Sequence, residues 1–185
     1  ITGFLVYSFN LNNPLFWGWA NFDGEHYLRI ATSGYQSLTH AFFPVYPFLA
    51  RTLASPFEIN MRSILASGLI LSNVFFLLSI IVFRKLIRLD YSSKIADISV
   101  LLLIFFPTSF FFGSLYTESL FFLLVVSSFY FARTGKHLLA LSLGALASGT
   151  RVFGIFLAPA LFLKNLKDKK LALAYLFVIP IGFFS

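Results

Sequence analysis

The 185-residue chain contains no cysteine and little charge, with Asp, Glu, Lys and Arg together making up 11% of it. Without cysteine there is neither a disulfide framework nor a thiolate metal site. Acidic residues are the scarcer sign, 7 against 14 Lys and Arg, and residues 1–22 carry no charge at all. Also missing are the short motifs that hold nucleotides or catalytic metals: there is no P-loop, no GxGxxG, no HExxH, and no DxD pair of the kind that grips a metal-bound nucleotide sugar. No internal repeat, low-complexity tract or signal-peptide pattern is visible. The sequence opens on Ile1 and stops at Ser185 inside an apolar run too short to cross a bilayer, so it reads as a piece of a longer chain.

What is present is apolar surface. Hydrophobic residues make up 58% of the chain, 26 of them phenylalanine, and the mean hydropathy is +0.86. A soluble monomer cannot expose that much apolar area to water, which places the chain in a bilayer as an all-α, polytopic membrane domain. The formal charge of +7 would raise the question of nucleic acid in a soluble protein. In a membrane protein it reports topology instead, because basic loops stay on the cytoplasmic side.

One membrane domain over 1–185 accounts for the pattern. Ile1–Phe9 reads as the tail of a preceding span, Asn10–Pro14 as a turn, and Leu15–Thr32 as an interfacial helix marked by Phe16, Trp17 and Trp19. All of 10–62 is expected as an extracytoplasmic loop with interfacial helices. Spans follow at 63–83, 95–112 and 117–132, with a break expected at Pro107 and a cytoplasmic loop at Arg84–Lys94. The segment 138–163 is basic at both ends, with Arg133 and Lys136 before it and Lys164, Lys167, Lys169 and Lys170 after it. It is either a hairpin with Thr150 and Arg151 at its apex or one span, and an incomplete span follows at 171–185.

Chemistry-bearing residues gather in NFDGEHYLRIATSGYQSLTHAFFPVYPFLAR, Asn21–Arg51. On a helix Asp23 and His26 share one face at i, i+3, and Glu25 and Arg29 share another at i, i+4, so one pair can act while the other forms an ion pair. A carboxylate beside a histidine suits a general base that takes a proton from an attacking hydroxyl. The two prolines of AFFPVYP interrupt ordinary helix and suggest a shaped loop, with His40 just before it as a further binding candidate. Further along, Glu118 in SLYTESLFF is a candidate site residue, since an ionisable group near the membrane is costly to bury, and compatibly reads as a helix-terminal carboxylate with Thr117 or Ser114 as cap. Arg151 in ASGTRVFG offers a planar donor fork to phosphate oxygens.

FDGEHYLRIATSGY followed by AFFPVYPFLAR resembles the first extracytoplasmic loop of the PIG-V-like mannosyltransferases. YTESLF and the Thr-Arg-x-x-Gly run are similar to that family as well. Phe22 stands where the family carries tryptophan, and Gln36–His40 lacks an acidic residue often found there. The resemblance implies a GT-C fold and an inverting glycosyltransferase that takes a sugar, expected to be mannose, from a polyprenyl-phosphate donor. It implies Asp23 as catalytic base and His26, His40, Glu118 and Arg151 as substrate-binding residues, with no metal ligands and no cofactor beyond the lipid-linked donor. The partners would be the bilayer, the donor and an unspecified acceptor, not nucleic acid. An integral multi-pass location follows, in a plasma membrane ahead of the endoplasmic reticulum. The rival reading is a transporter or lipid-binding membrane subunit, with Asp23, Glu118 and Arg151 lining a polar pathway.

Overall fold

The computed structural model describes residues 18–37 and 39–184, so the expectations for Ile1–Phe9, Asn10–Pro14, Phe16 and Trp17 lie outside the described residues. Helices make up the fold, with no strand among the described residues. The anticipated continuous helix to Thr32 is interrupted. A 3-10 turn at Gly18–Ala20 is followed by a sharp reversal at Phe22, whose φ of 52° lies in the left-handed half of backbone space, and helix α1 then runs Asp23–Ser33. A non-glycine residue with that φ is strained, and this strain sits one residue before Asp23. Asp23 and Glu25 occupy the first turn of α1, where negative charge complements the helix dipole. At the other end, Arg51 donates to the Ala31 and Thr32 carbonyls at 2.6 and 2.9 Å, supplying partners for the orphan acceptors of the last turn.

AFFPVYP leads directly into helix α2, Val45–Ala54, rather than remaining loop throughout. Pro47 is tolerated because it lies in the first turn, where a backbone N–H has no intrahelical acceptor. Tyr46, fully buried, donates to the Gly68 carbonyl at 3.0 Å and meets the Ser72 hydroxyl at 2.7 Å, fastening α2 across the start of helix α3.

Helix α3 spans Met61–Ile87, 27 residues or about 40 Å. Its N-cap Asn60 accepts from the Arg62 and Ser63 amides while Ser63 Oγ accepts from the Asn60 amide, a reciprocal cap that fixes where the helix begins. Among the described residues it is the one helix long and apolar enough to cross a membrane, and only 33% of its most apolar window is buried. Ile70, Leu77 and Ile81 point outward from it. An apolar helix that hides only a third of that surface is built for lipid rather than for a protein core.

After α3 the chain forms α4 at Ser93–Ile104, a break at Pro107, the single turn α5 at Phe110–Gly113, and α6 at Glu118–Arg133. Helix α6 runs parallel to α3, as shown by Gly68 meeting Leu115 near one end and Arg133 meeting Asp90 at the other. Gly135, with φ of 79°, makes the tight reversal into α7, His137–Ser148, which returns antiparallel to α6 with Ser128 Oγ donating to the Ala140 carbonyl. The 138–163 segment is interrupted after Ser148: a 3-10 stretch at Val152–Phe156 separates α7 from α8 at Leu157–Lys164, and α9 follows at Lys169–Val178 with a 3-10 continuation at Ile179–Phe184. Lys164 comes within electrostatic reach of both Arg133 and Asp90. Basic residues before and after the interrupted segment therefore sit at one end of the bundle.

Candidate functional site

The opposite end is organised by four consecutive residues, Leu115–Glu118, which connect α6 to the segment carrying Asp23. The Leu115 amide donates to the Trp19 carbonyl at 2.9 Å. Leu115, 1% exposed, packs against two glycines: a Cβ on Gly68 would lie 2.0 Å from Leu115 Cδ1, and a Cβ on Gly24 would lie 2.9 Å from the Leu115 carbonyl oxygen. The Tyr116 hydroxyl donates to the Asn21 carbonyl at 2.6 Å, holding the chain two residues ahead of Asp23. The Thr117 hydroxyl stands 3.5 Å from the Tyr27 hydroxyl and accepts from Arg151 Nη1 at 3.2 Å. Glu118 completes the run by pairing with the same Arg151 nitrogen.

Arg151 follows the end of α7 in extended backbone, φ −151° and ψ 144°, with Gly154 packed so closely on Ala147 and Ser148 that no side chain would fit there. This close return turns the arginine back toward α6. Its guanidinium also lies over the Phe121 ring, 5.9 Å from the centroid. The Arg151 and Glu118 side chains keep 30% and 28% of their surface exposed, so the pair stands at the boundary between protein and surroundings. Among the described residues its hydrogen bonds all leave from Nη1, which leaves Nε and Nη2 for a further anion. Glu118 Oε2 is sealed from solvent and meets no hydrogen-bond donor among the described residues.

Of the five residues singled out from sequence, two are joined by a direct contact, Glu118 and Arg151. Asp23 is exposed at the start of α1, close enough for its charge to act on both Tyr27 and Tyr116. His26 stacks on Phe42, with ring centroids 4.5 Å apart, which ties α1 to the AFFP loop. His40 stacks on Tyr35 and lines an open groove of about 780 Å³ with Phe42, Phe43, Pro44, Val152 and Phe183. Glu25 pairs with Arg29 at 2.8 Å, consistent with their i, i+4 spacing. The capping expectation for α6 does not hold. Thr117 occupies the N-cap position without capping through its side chain and faces Arg151, while Ser114 Oγ donates back to the Phe110 carbonyl.

Sequence reasoning missed Tyr27 and Tyr116. Tyr27 is buried, and its hydroxyl lies within reach of the Arg151, Glu118 and Asp23 charges together. Burial raises its pKa, with the Thr117 hydrogen bond and then Arg151 opposing the rise. The Tyr116 hydroxyl is pushed up to about 12, by burial first and then by the Asp23 and Glu118 carboxylates and Tyr27. A signal for Tyr27 existed in the sequence: it lies one turn beyond Asp23 and so shares its helix face. Among the described residues no three His, Asp or Glu side chains converge to hold a metal ion.

A family model described as mannosyltransferase (PIG-V) matches residues 3–176, spanning every element of this site. No curated protein and no solved structure matches the chain.

Proposed function

The chain belongs to the PIG-V mannosyltransferase family, and on that premise we propose that it is a multi-pass GT-C-type enzyme moving mannose, with inversion, from a polyprenyl-phosphate donor to an extracytoplasmic acceptor. The observation that carries the reading is the position of the Arg151–Glu118 pair. It lies at the same end of the bundle as Asp23, and the Asp90–Arg133 end with Lys164 is the other.

By the tendency of basic loops to remain cytoplasmic, the Asp23 end faces outward. An acceptor hydroxyl attacks the anomeric carbon of the donor as the bond from that carbon to the phosphate oxygen breaks. The leaving polyprenyl phosphate keeps the electron pair, the hydroxyl proton passes to the Asp23 carboxylate, and the Arg151 guanidinium meets the charge gathering on phosphate. Exposed Asp23 is open to an acceptor. His26, stacked on Phe42, and His40, in the groove beside it, are the substrate-binding candidates of this end. The phosphoester of the donor is already activated, so this reaction needs no nucleotide-binding module and no cofactor beyond the donor.

Replacing Asp23 by Asn preserves size and hydrogen-bonding capacity but removes the base. In the full-length enzyme in membranes, turnover with mannosyl-phosphoryl polyprenol as donor should fall ~10²-fold or more while donor binding persists. Wild-type turnover in folded Asp23→Asn protein overturns the assignment.

A further inference from the structure

We propose that Tyr27 is a positioning residue for this transfer, its hydroxyl coupling the helix that carries Asp23 to Arg151 through the Thr117 hydroxyl. The inference rests on the reading of Asp23 and Arg151 given above. Tyr27 is buried edge-on between Phe42 and Tyr46, with centroid separations of 5.3 and 5.7 Å, so its ring is held in place by packing. Packing alone does not require a hydroxyl. A phenylalanine would fill the same space, yet here a polar atom is buried and pointed at a side chain that also receives Arg151. Burying a hydroxyl is costly unless it finds a partner.

Thr117 Oγ1 can accept from Arg151 and donate to Tyr27, or accept from both, so a shift of the guanidinium toward an incoming phosphate is felt at Tyr27. Tyr27 in turn lies one turn from Asp23 on a single rigid helix. The Tyr27–Thr117 separation of 3.5 Å is at the long limit of a hydrogen bond. Glu118 supports the arrangement from the other side, pairing with Arg151 and fixing its planar head.

The test uses the full-length enzyme in membranes with mannosyl-phosphoryl polyprenol as donor and the endogenous membrane acceptor. Tyr27→Phe keeps the ring, so the thermal midpoint and binding of polyprenyl monophosphate should stay at wild-type values. Loss of one neutral hydrogen bond made in the transition state should lower kcat about three- to tenfold at unchanged donor KM. Thr117→Val, which also removes an acceptor of Arg151, should cost at least as much and Thr117→Ser much less. The double variant Tyr27→Phe/Thr117→Val should be no slower than the worse single one, because both remove the same link. Wild-type kcat in Tyr27→Phe overturns the inference, as does a double variant whose losses multiply or a loss seen only as a lowered thermal midpoint. Two controls separate this failure from failure of the whole reading. If Asp23→Asn and Arg151→Leu abolish transfer while Tyr27→Phe does not slow it, only the coupling is wrong; if neither control slows transfer, the site itself is wrong.

Discussion

Leu115 is held from three sides, by the Trp19 carbonyl on its amide and by Gly24 and Gly68 against its carbonyl and side chain. Gly68→Ala would push a methyl group into the leucine, whose backbone cannot retreat because Gly24 already lies close to it. Overpacking of this kind costs about 1–3 kcal/mol, so the variant should melt earlier and lose transfer activity together, which thermal unfolding in detergent and a transfer assay would reveal. Equal melting in wild type and variant would mean that Leu115 has room to move. A second residue-scale expectation concerns Asp90, in the loop between α3 and α4. Its hydrogen bonds from Arg133 hold its carboxyl below the ordinary carboxylate range. A depressed folded pKa means that the stabilisation is present above the unfolded value of about 4 and is lost as pH falls through the lower folded value. Asp90→Asn should therefore lower stability by the same small amount everywhere above about pH 4, neutrality included, and flatten the acid limb below it, the size being that of an exposed pair.

At the scale of elements, the sequence reads best where backbone chemistry is local. Helix α4 stops at Ile104, just ahead of Pro107, and α3 begins at an asparagine followed three residues later by a serine that returns the cap. The α1 start was harder to place, because the reversal at Phe22 depends on contacts with Leu115 and Tyr116 that no local pattern announces. AFFPVYP misled for a related reason: proline opposes a helix interior but not a first turn, and which applies depends on where the helix begins. Of the candidate site, charge made Asp23, Glu118 and Arg151 conspicuous. Tyr27 and Tyr116 were hidden among 8 tyrosines in an apolar chain, where an aromatic ring is most simply read as packing. The interruption between α7 and α8 yields a topological expectation. Single cysteines at Lys136 and Lys167, introduced into this cysteine-free sequence, should both react with an impermeant reagent only after the cytoplasmic side is opened. Reaction at Lys167 from outside would place α8 across the membrane from α7.

For the molecule as a whole, apolar side chains such as Leu77, Leu102 and Phe177 face outward on α3, α4 and α9, while the ion pairs among the described residues stand at the two ends. One end carries ion pairs Arg84–Asp97 and Arg133–Asp90, the other the Arg151–Glu118 pair beside Asp23. These ends are built from residues far apart in the chain: Tyr116 and Asn21 are separated by 95 positions, and Arg151 lies another 33 beyond Glu118. That separation sets a schedule for synthesis. At a translation rate of about 5–20 residues per second, α1 leaves the ribosome roughly 5–20 s before the residues that will hold it. During that interval Asp23 waits on a helix without its final partners, and the arginine comes last. A nascent chain halted before Arg151 would therefore carry Asp23 and Glu118 on their helices but lack the guanidinium that joins α6 to the end of α7.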